Sequence, residues 1–223
     1  MIDLITKAKI DDLYWAACQT IQDSIGQEKD IPEDLQGLGK KLSDTYYCNF
    51  SVFQSLPDSW AIGHLFPVAP LHRLDERPSK EAMIADLTCD SDGKLDQFID
   101  LQDVKPTIRL HHPNGNPYYL GAFLVGAYQE ILGDLHNLFG DTNAVHVSLR
   151  PDGKYKLEHV VQGDTVSEVL SYVEYDKLDL LRRVRNLAET AVRNHQMTFE
   201  DLAKLMRRYE EGLSGYTYLE DID

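Results

Sequence analysis

An apolar, β-like run ends abruptly in a thiol and a cluster of carboxylates in the stretch Ile84-Ala85-Asp86-Leu87-Thr88-Cys89-Asp90-Ser91-Asp92-Gly93-Lys94-Leu95-Asp96. Reactive groups set where a strand gives way to a loop are what a site needs. A thiol can act as nucleophile or proton donor, and Asp90, Asp92 and Asp96 would give one small volume an acidic potential suited to a cationic substrate. Spacing alone equally allows a strand end followed by a polar Asp-Gly turn. A Ca²⁺ loop is a third reading, but the ligand order and the closing Glu of an EF-hand are missing.

Other residues invite chemistry less strongly. His111 and His112 are adjacent in a strand-like run, so they point to opposite faces and cannot share a metal; core or surface histidines are the commoner outcome. His136 and His146 have Asp134 and Asp141 nearby in sequence, without any recognised ligand spacing. Gly121, Gly126 and Gly133 are too dispersed for a phosphate-binding fingerprint, and close packing explains them. Tyr128 follows Gly126-Ala127 where a strand passes into a helix, so its hydroxyl could reach an anion held there; a packed core tyrosine is the alternative.

Composition narrows the partners. The chain has 223 residues, 43% of them hydrophobic, enough for one domain or two small ones. A formal net charge of -15 argues against nucleic acid or an anionic membrane as partner and favours small cations. Cys18, Cys48 and Cys89 have no zinc-finger spacing, and neither a signal peptide nor a long apolar span accompanies them, so the cytoplasm is the expected compartment. Cys18 reads as structural.

The elements that must position these groups follow from period. Ile10, Leu13, Tyr14, Ala17, Ile21 and Ile25 recur at helical spacing up to Gly26, and after a turn at Asp30-Ile31-Pro32 a second helix is expected through Leu35, Leu38, Leu42 and Tyr46. From Tyr47 to Ser55 the pattern alternates as in a strand. Pro57-Asp58-Ser59 reads as a turn, and His64 to Arg73, with Pro67 and Pro70, as an edge strand. Glu81 to Thr88 reads as a buried strand that delivers Cys89. Thr107 to His112 and Tyr118 to Phe123 read as a hairpin, and Ala144 to Leu149 with Tyr155 to Val161 flank the stronger hairpin signal Pro151-Asp152-Gly153-Lys154. After Gly163 the pattern is helical again, with Thr165 or Asp164 and then Thr198 as caps, and with Phe199, Leu202, Leu205 and Met206 inward. The class is therefore α+β: a helical segment over 1–46, a β-barrel or sandwich over 47–163 and a helical tail over 164–223.

Two further stretches carry a resemblance. Asn49-Phe50-Ser51-Val52-Phe53-Gln54-Ser55-Leu56-Pro57-Asp58-Ser59-Trp60, the Cys89-Asp90-Ser91-Asp92-Gly93 turn, and the long block from Tyr118-Tyr119-Leu120-Gly121-Ala122-Phe123 to Asn137-Leu138-Phe139-Gly140-Asp141 together resemble the C-terminal portion of biosynthetic arginine decarboxylases. The resemblance runs over nearly the whole chain. It implies an alanine-racemase-like fold whose C-terminal β-domain and helical additions are present here. The (β/α) barrel with the Schiff-base lysine would need about 200 residues or more and is not expected within this chain. Neither Lys80, Lys94 nor Lys154 is nominated in place of that lysine.

The resemblance also implies an activity, the conversion of L-arginine to agmatine and CO₂ with pyridoxal phosphate, and Mg²⁺ as a family-level expectation. Cys89 would protonate Cα across a dimer interface, Asp90 and Asp92 would hold the guanidinium, and Tyr128 would contact the cofactor phosphate. The expected partners are arginine and a barrel-bearing chain or further copies of the same chain. Two readings compete: a non-catalytic partner that regulates a barrel-bearing subunit, and a metal-dependent hydrolase built on the histidines and aspartates.

Overall fold

The computed structural model describes residues 2–25 and 31–220. Gly26 and Asp30, expected to close the first helix and to open the following turn, lie outside the described residues. The chain divides into two compact units. One takes Met1–Cys48, Leu65–Ala85 and Lys94–Leu124, and the other Asn49–His64, Asp86–Gly93 and Val125–Asp223.

The first unit holds α1 (Leu4–Ile25), a 3₁₀ turn (Glu33–Leu35), α2 (Leu38–Lys41) and β1 (Asp44–Tyr47). The second unit opens with α3 (Val52–Ser55) and α4 (Pro57–Ala61). The chain then returns to the first unit for β2 (Val68–Pro70), β3 (Lys80–Ala85), β4 (Lys94–Leu95), β5 (Phe98–Ile99), β6 (Val104–Lys105), β7 (Ile108–Leu110) and β8 (Leu120–Ala122). The remainder of the second unit is α5 (Ala127–Leu132), a 3₁₀ turn (His136–Leu138), β9 (Ala144–Leu149), β10 (Tyr155–Val161), α6 (Val166–Tyr172), α7 (Lys177–Arg193) and α8 (Phe199–Ser214).

In the first unit β3 is the organising strand. Its Met83 is half-buried while Ala82 and Ile84 are fully buried, the period-two signature of a strand packed on one face. β1 runs parallel to it with Tyr46 opposite Ile84, whereas β7 and β4 pair with it antiparallel. The core of this unit is Phe66, Ala82, Ile84, Leu95, Phe98, Ile108 and Leu110. The second unit buries Val52, Phe53, Leu56, Val169, Ala188, Leu213 and Tyr218. The class is α+β, and the sheets are open: among the described residues no barrel closes. No helix of the described residues is long and apolar enough to cross a membrane.

Local structure departs from the sequence reading in several places. The second helix is cut to Leu38–Lys41, and Tyr46 lies in β1, because Gly37 and Gly39 weaken the helix and Tyr46 finds a strand partner in Ile84. The alternating run from Tyr47 to Ser55 breaks into α3, since Ser51 caps a helix by accepting the Gln54 amide at 3.3 Å. Pro57 starts α4 at a position where its missing N–H costs nothing. Thr107–His112 and Tyr118–Phe123 do not form a hairpin; β7 pairs with β3 and β8 with β2, over a connection too long for a tight turn.

The β9–β10 hairpin forms as expected, with a bulge between Leu157 and His159. The three tail helices also start where capping chemistry places them. Thr165 with Glu168 and Thr198 with Asp201 form reciprocal capping boxes, and Asp176 caps α7. In α8 the inward stripe is Leu202, Met206, Tyr209 and Leu213; Leu205 sits on its flank and Phe199, on the first turn, is 79% exposed, so those two do not pack inward as expected.

Candidate active site

Cys89, Asp90 and Asp92 lie on one turn, 86–93, of the second unit, and all three are exposed. The turn is built on Asp86, which is only 2% exposed. Its Oδ1 accepts the backbone amide and the hydroxyl of Thr88 at 2.9 and 2.8 Å, and its Oδ2 accepts the amide of Val52 at 2.9 Å. A buried carboxylate is stable only when donors surround it in this way, and Asp86 thereby ties the turn to the start of α3. Gly93 closes the turn, donating to the Asp90 carbonyl at 3.0 Å and accepting the Asp86 amide at 2.8 Å. Its missing side chain leaves the space that the Asp86 carboxylate fills. Asp90 Oδ1 accepts the Asp92 amide at 2.9 Å, which fixes the two carboxylates relative to each other.

Three residues outside the turn reach into it. Asn137 Nδ2 donates to Cys89 Sγ at 3.4 Å, His136 Nε2 stands 3.7 Å from Asp90 Oδ2, and Trp60 Nε1 donates to Asp92 Oδ2 at 3.4 Å. Phe53, buried in α3, orders two of them: its ring meets His136 at 4.2 Å and Trp60 edge-on at 5.3 Å. Among the described residues neither Asp90 nor Asp92 pairs with a lysine or arginine. Asp96, expected to share this acidic volume, belongs to the first unit, where Lys40 at 3.5 Å and Lys94 at 3.4 Å pair with it.

Tyr128 is placed differently. Its neighbour Gln129, 6% exposed, locks α5 to α4 by donating to Asp58 Oδ2 at 2.6 Å and accepting the Asp58 amide at 3.1 Å. That lock turns Tyr128 outward, 76% exposed. Its hydroxyl is a donor without a hydrogen bond among the described residues, and the space around Gly126 is open. Gly133 instead lies against the Gln54 backbone and side chain, and Gly121 against Phe123 and Leu71, so close packing holds for those two.

The remaining candidates are structural. His111 is buried, with Nδ1 on the Tyr118 hydroxyl at 2.7 Å and Nε2 on the Glu76 carbonyl at 3.0 Å, while His112 is exposed. His146 faces His159 across the hairpin. Among the described residues no group of three or more His, Cys, Asp or Glu is arranged to hold a metal. Burial pushes the Tyr218 phenol up strongly, with Tyr216 and nearby carboxylates adding to it, so it remains a donor to the Gly140 carbonyl at 2.9 Å.

Asp86, Trp60, Asn137 and Gln54 escaped assignment from residue type. Gln54 accepts the Leu135 amide at 3.0 Å and donates to Asp141 at 2.7 Å, pinning the loop that carries His136 and Asn137. A polar residue on a helix turn otherwise lined by Val52 and Phe53 was the available signal.

Residues 166–219 match the family described as the arginine decarboxylase C-terminal helical extension. The chain is 54% identical over 220 residues to the biosynthetic arginine decarboxylase of Nostoc, covering 98% of this chain and 32% of that protein. It is 55% identical over 218 residues to that of Gloeobacter violaceus, covering 96% and 34%. The crystal structure of the biosynthetic arginine decarboxylase SpeA from Campylobacter jejuni superposes with a TM-score of 0.70 at 29% identity, over 92% of this chain and 36% of that one. The chain thus spans about a third of the length of the curated relatives it matches. Over nearly its whole length it is similar to the C-terminal part of biosynthetic arginine decarboxylases.

Proposed function

We propose that this chain completes the substrate side of an arginine decarboxylase, the enzyme that releases the α-carboxylate of L-arginine as CO₂ and leaves agmatine. The supporting observation is a single turn that exposes a thiol beside two carboxylates free of lysine or arginine partners, in a chain about half identical to such enzymes. Guanidinium is a planar fork that carboxylates bind bidentately, which gives Asp90 and Asp92 their role. Decarboxylation breaks the bond between Cα and the carboxylate, and a proton must replace CO₂ at Cα. Cys89 delivers that proton from its thiol.

The donor set fits one end of pyridoxal phosphate. Tyr128 offers a free outward hydroxyl for the phosphate, while among the described residues no lysine pairs with Cys89, Asp90 or Asp92. Pyridoxal phosphate, when bound, serves as the sink for the electron pair left at Cα. Covalent attachment falls to a barrel-bearing chain, either a separate subunit or another part of the same protein, and the Cys89 turn is proposed to act across a dimer interface. Mg²⁺ is carried from the family reading alone, with no residue here assigned to it. Within this reading residues 1–46 belong to a helical bundle, 47–163 to the β-domain and 164–223 to the tail, the last supported by the matched helical extension. Three unpaired thiols accord with a cytoplasmic setting.

Mixing the purified chain with a barrel-only piece of a relative and following ¹⁴CO₂ release from carboxyl-labelled arginine tests the proposal. Turnover that appears only in the mixture is the expected result. A chain that instead lowers the turnover of an intact relative, and rescues nothing, is a regulator rather than half of an active site.

A further inference from the structure

The loop between α5 and β9 is strained where it meets the reactive turn. Leu135, Asn137 and Leu138 all have positive φ, at 47°, 55° and 62°. Asn tolerates the left-handed region, but leucine does so only at a cost of roughly 1 kcal/mol or more, and strain of this kind persists only where surrounding structure imposes it. Gln54 imposes it here. Its side chain accepts the Leu135 amide at 3.0 Å, and its carbonyl side of α3 packs on Gly133, where a Cβ would come within 2.5 Å of the Gln54 oxygen.

The strained backbone presents two side chains. Asn137 Nδ2 reaches Cys89 Sγ at 3.4 Å, and the His136 ring, stacked on Phe53 at 4.2 Å, stands with Nε2 at 3.7 Å from Asp90 Oδ2. That Nε2 is sealed from solvent and has no hydrogen-bond partner among the described residues. A buried unsatisfied nitrogen beside a carboxylate calls for an explanation, and a small rotation of Asp90 toward it supplies one.

We propose that Asn137 and His136 are positioning residues of this site, Asn137 orienting and stabilising the Cys89 sulfur by its amide N–H and His136 steering the Asp90 carboxylate. The inference rests on the reading of Cys89 as proton donor and Asp90 as guanidinium partner. A donor that gives up its proton leaves a thiolate, and an N–H aimed at sulfur favours that state against the opposing carboxylates of Asp90, Asp92 and Asp86 around the same turn. Among the described residues, Asn137 is the side chain that donates to this sulfur.

Alkylation of Cys89 by iodoacetamide in the full 223-residue chain, read by peptide mass at a fixed pH of 8, tests the device without turnover. Asn137→Gly keeps the left-handed backbone and removes the amide; Asn137→Asp keeps shape and backbone but replaces donor with acceptor. The expected order of rates is wild type, then Asn137→Gly slower by about threefold, then Asn137→Asp slower still. A merely structural role leaves Asn137→Asp at the wild-type rate, and that result overturns the proposal even where Asn137→Gly is poorly folded. In an assembled decarboxylase, Asn137→Asp should lower kcat with KM little changed, and His136→Leu should raise the KM for arginine. Failure of the decarboxylase reading is separate, because it is read from turnover and not from alkylation.

Discussion

Gly93 lies so close to the Asp86 carboxylate that no side chain fits between them. Asp86 cannot move aside, because its two oxygens hold the Val52 amide and both donors of Thr88. Gly93→Ala is therefore expected to cost about 1 to 3 kcal/mol through overpacking. Asp86→Ala, which strands buried donors, should cost about 2 to 4 kcal/mol. Urea unfolding followed by near-UV circular dichroism measures both, and a Gly93→Ala midpoint equal to wild type would refute the description of the turn.

Alkaline pH gives a second expectation, in the first unit. Burial pushes the Cys48 thiol up from its usual value near 9 to about 11. The unfolded chain then releases the Cys48 proton at lower pH than the folded one. Stability is full below about pH 9 and is lost as pH rises toward about 11, by roughly 2 kcal/mol. Cys48→Ala should flatten this fall in the midpoint of urea unfolding between those values. An equally steep fall in the variant would place the titrating group elsewhere.

Tyr128 should matter for holding the cofactor and little for the chemical step. Gln129 and Asp58 fix its outward aim, so Tyr128→Phe removes one hydroxyl and moves nothing else. In an assembled decarboxylase this should raise the pyridoxal phosphate dissociation constant by about tenfold, as expected for a hydrogen bond to a charged group, with kcat at saturating cofactor nearly unchanged. Absorbance titration of the apoenzyme provides the measurement. A fall in kcat with unaltered affinity would assign Tyr128 another task.

The tail was legible in the sequence because its signals are local. Thr165 and Thr198 sit at helix starts with acidic residues in the first turn, and capping depends on neighbours only. Pro151-Asp152-Gly153-Lys154 likewise marked the β9–β10 hairpin. Strand pairing in the first unit was not legible, since β3 chooses β1, β4 and β7 by contacts distant in sequence. At the site, Cys89, Asp90 and Asp92 stood out by residue type. Asp86 and Gln54 did not, because their work lies in satisfying buried amides that only the folded chain creates.

Replacement of Cys89 by alanine tests the central claim most directly, in a decarboxylase assembled from this chain and its barrel-bearing complement. The thiol is exposed on the turn, so its removal should leave folding and pyridoxal phosphate retention intact. A positioned general acid contributes roughly 10² to 10⁴ in rate, and kcat for agmatine formation should fall within that range with little change in KM for arginine. A Cys89→Ala enzyme that forms agmatine at the wild-type rate would contradict the assignment of this turn as the source of the proton.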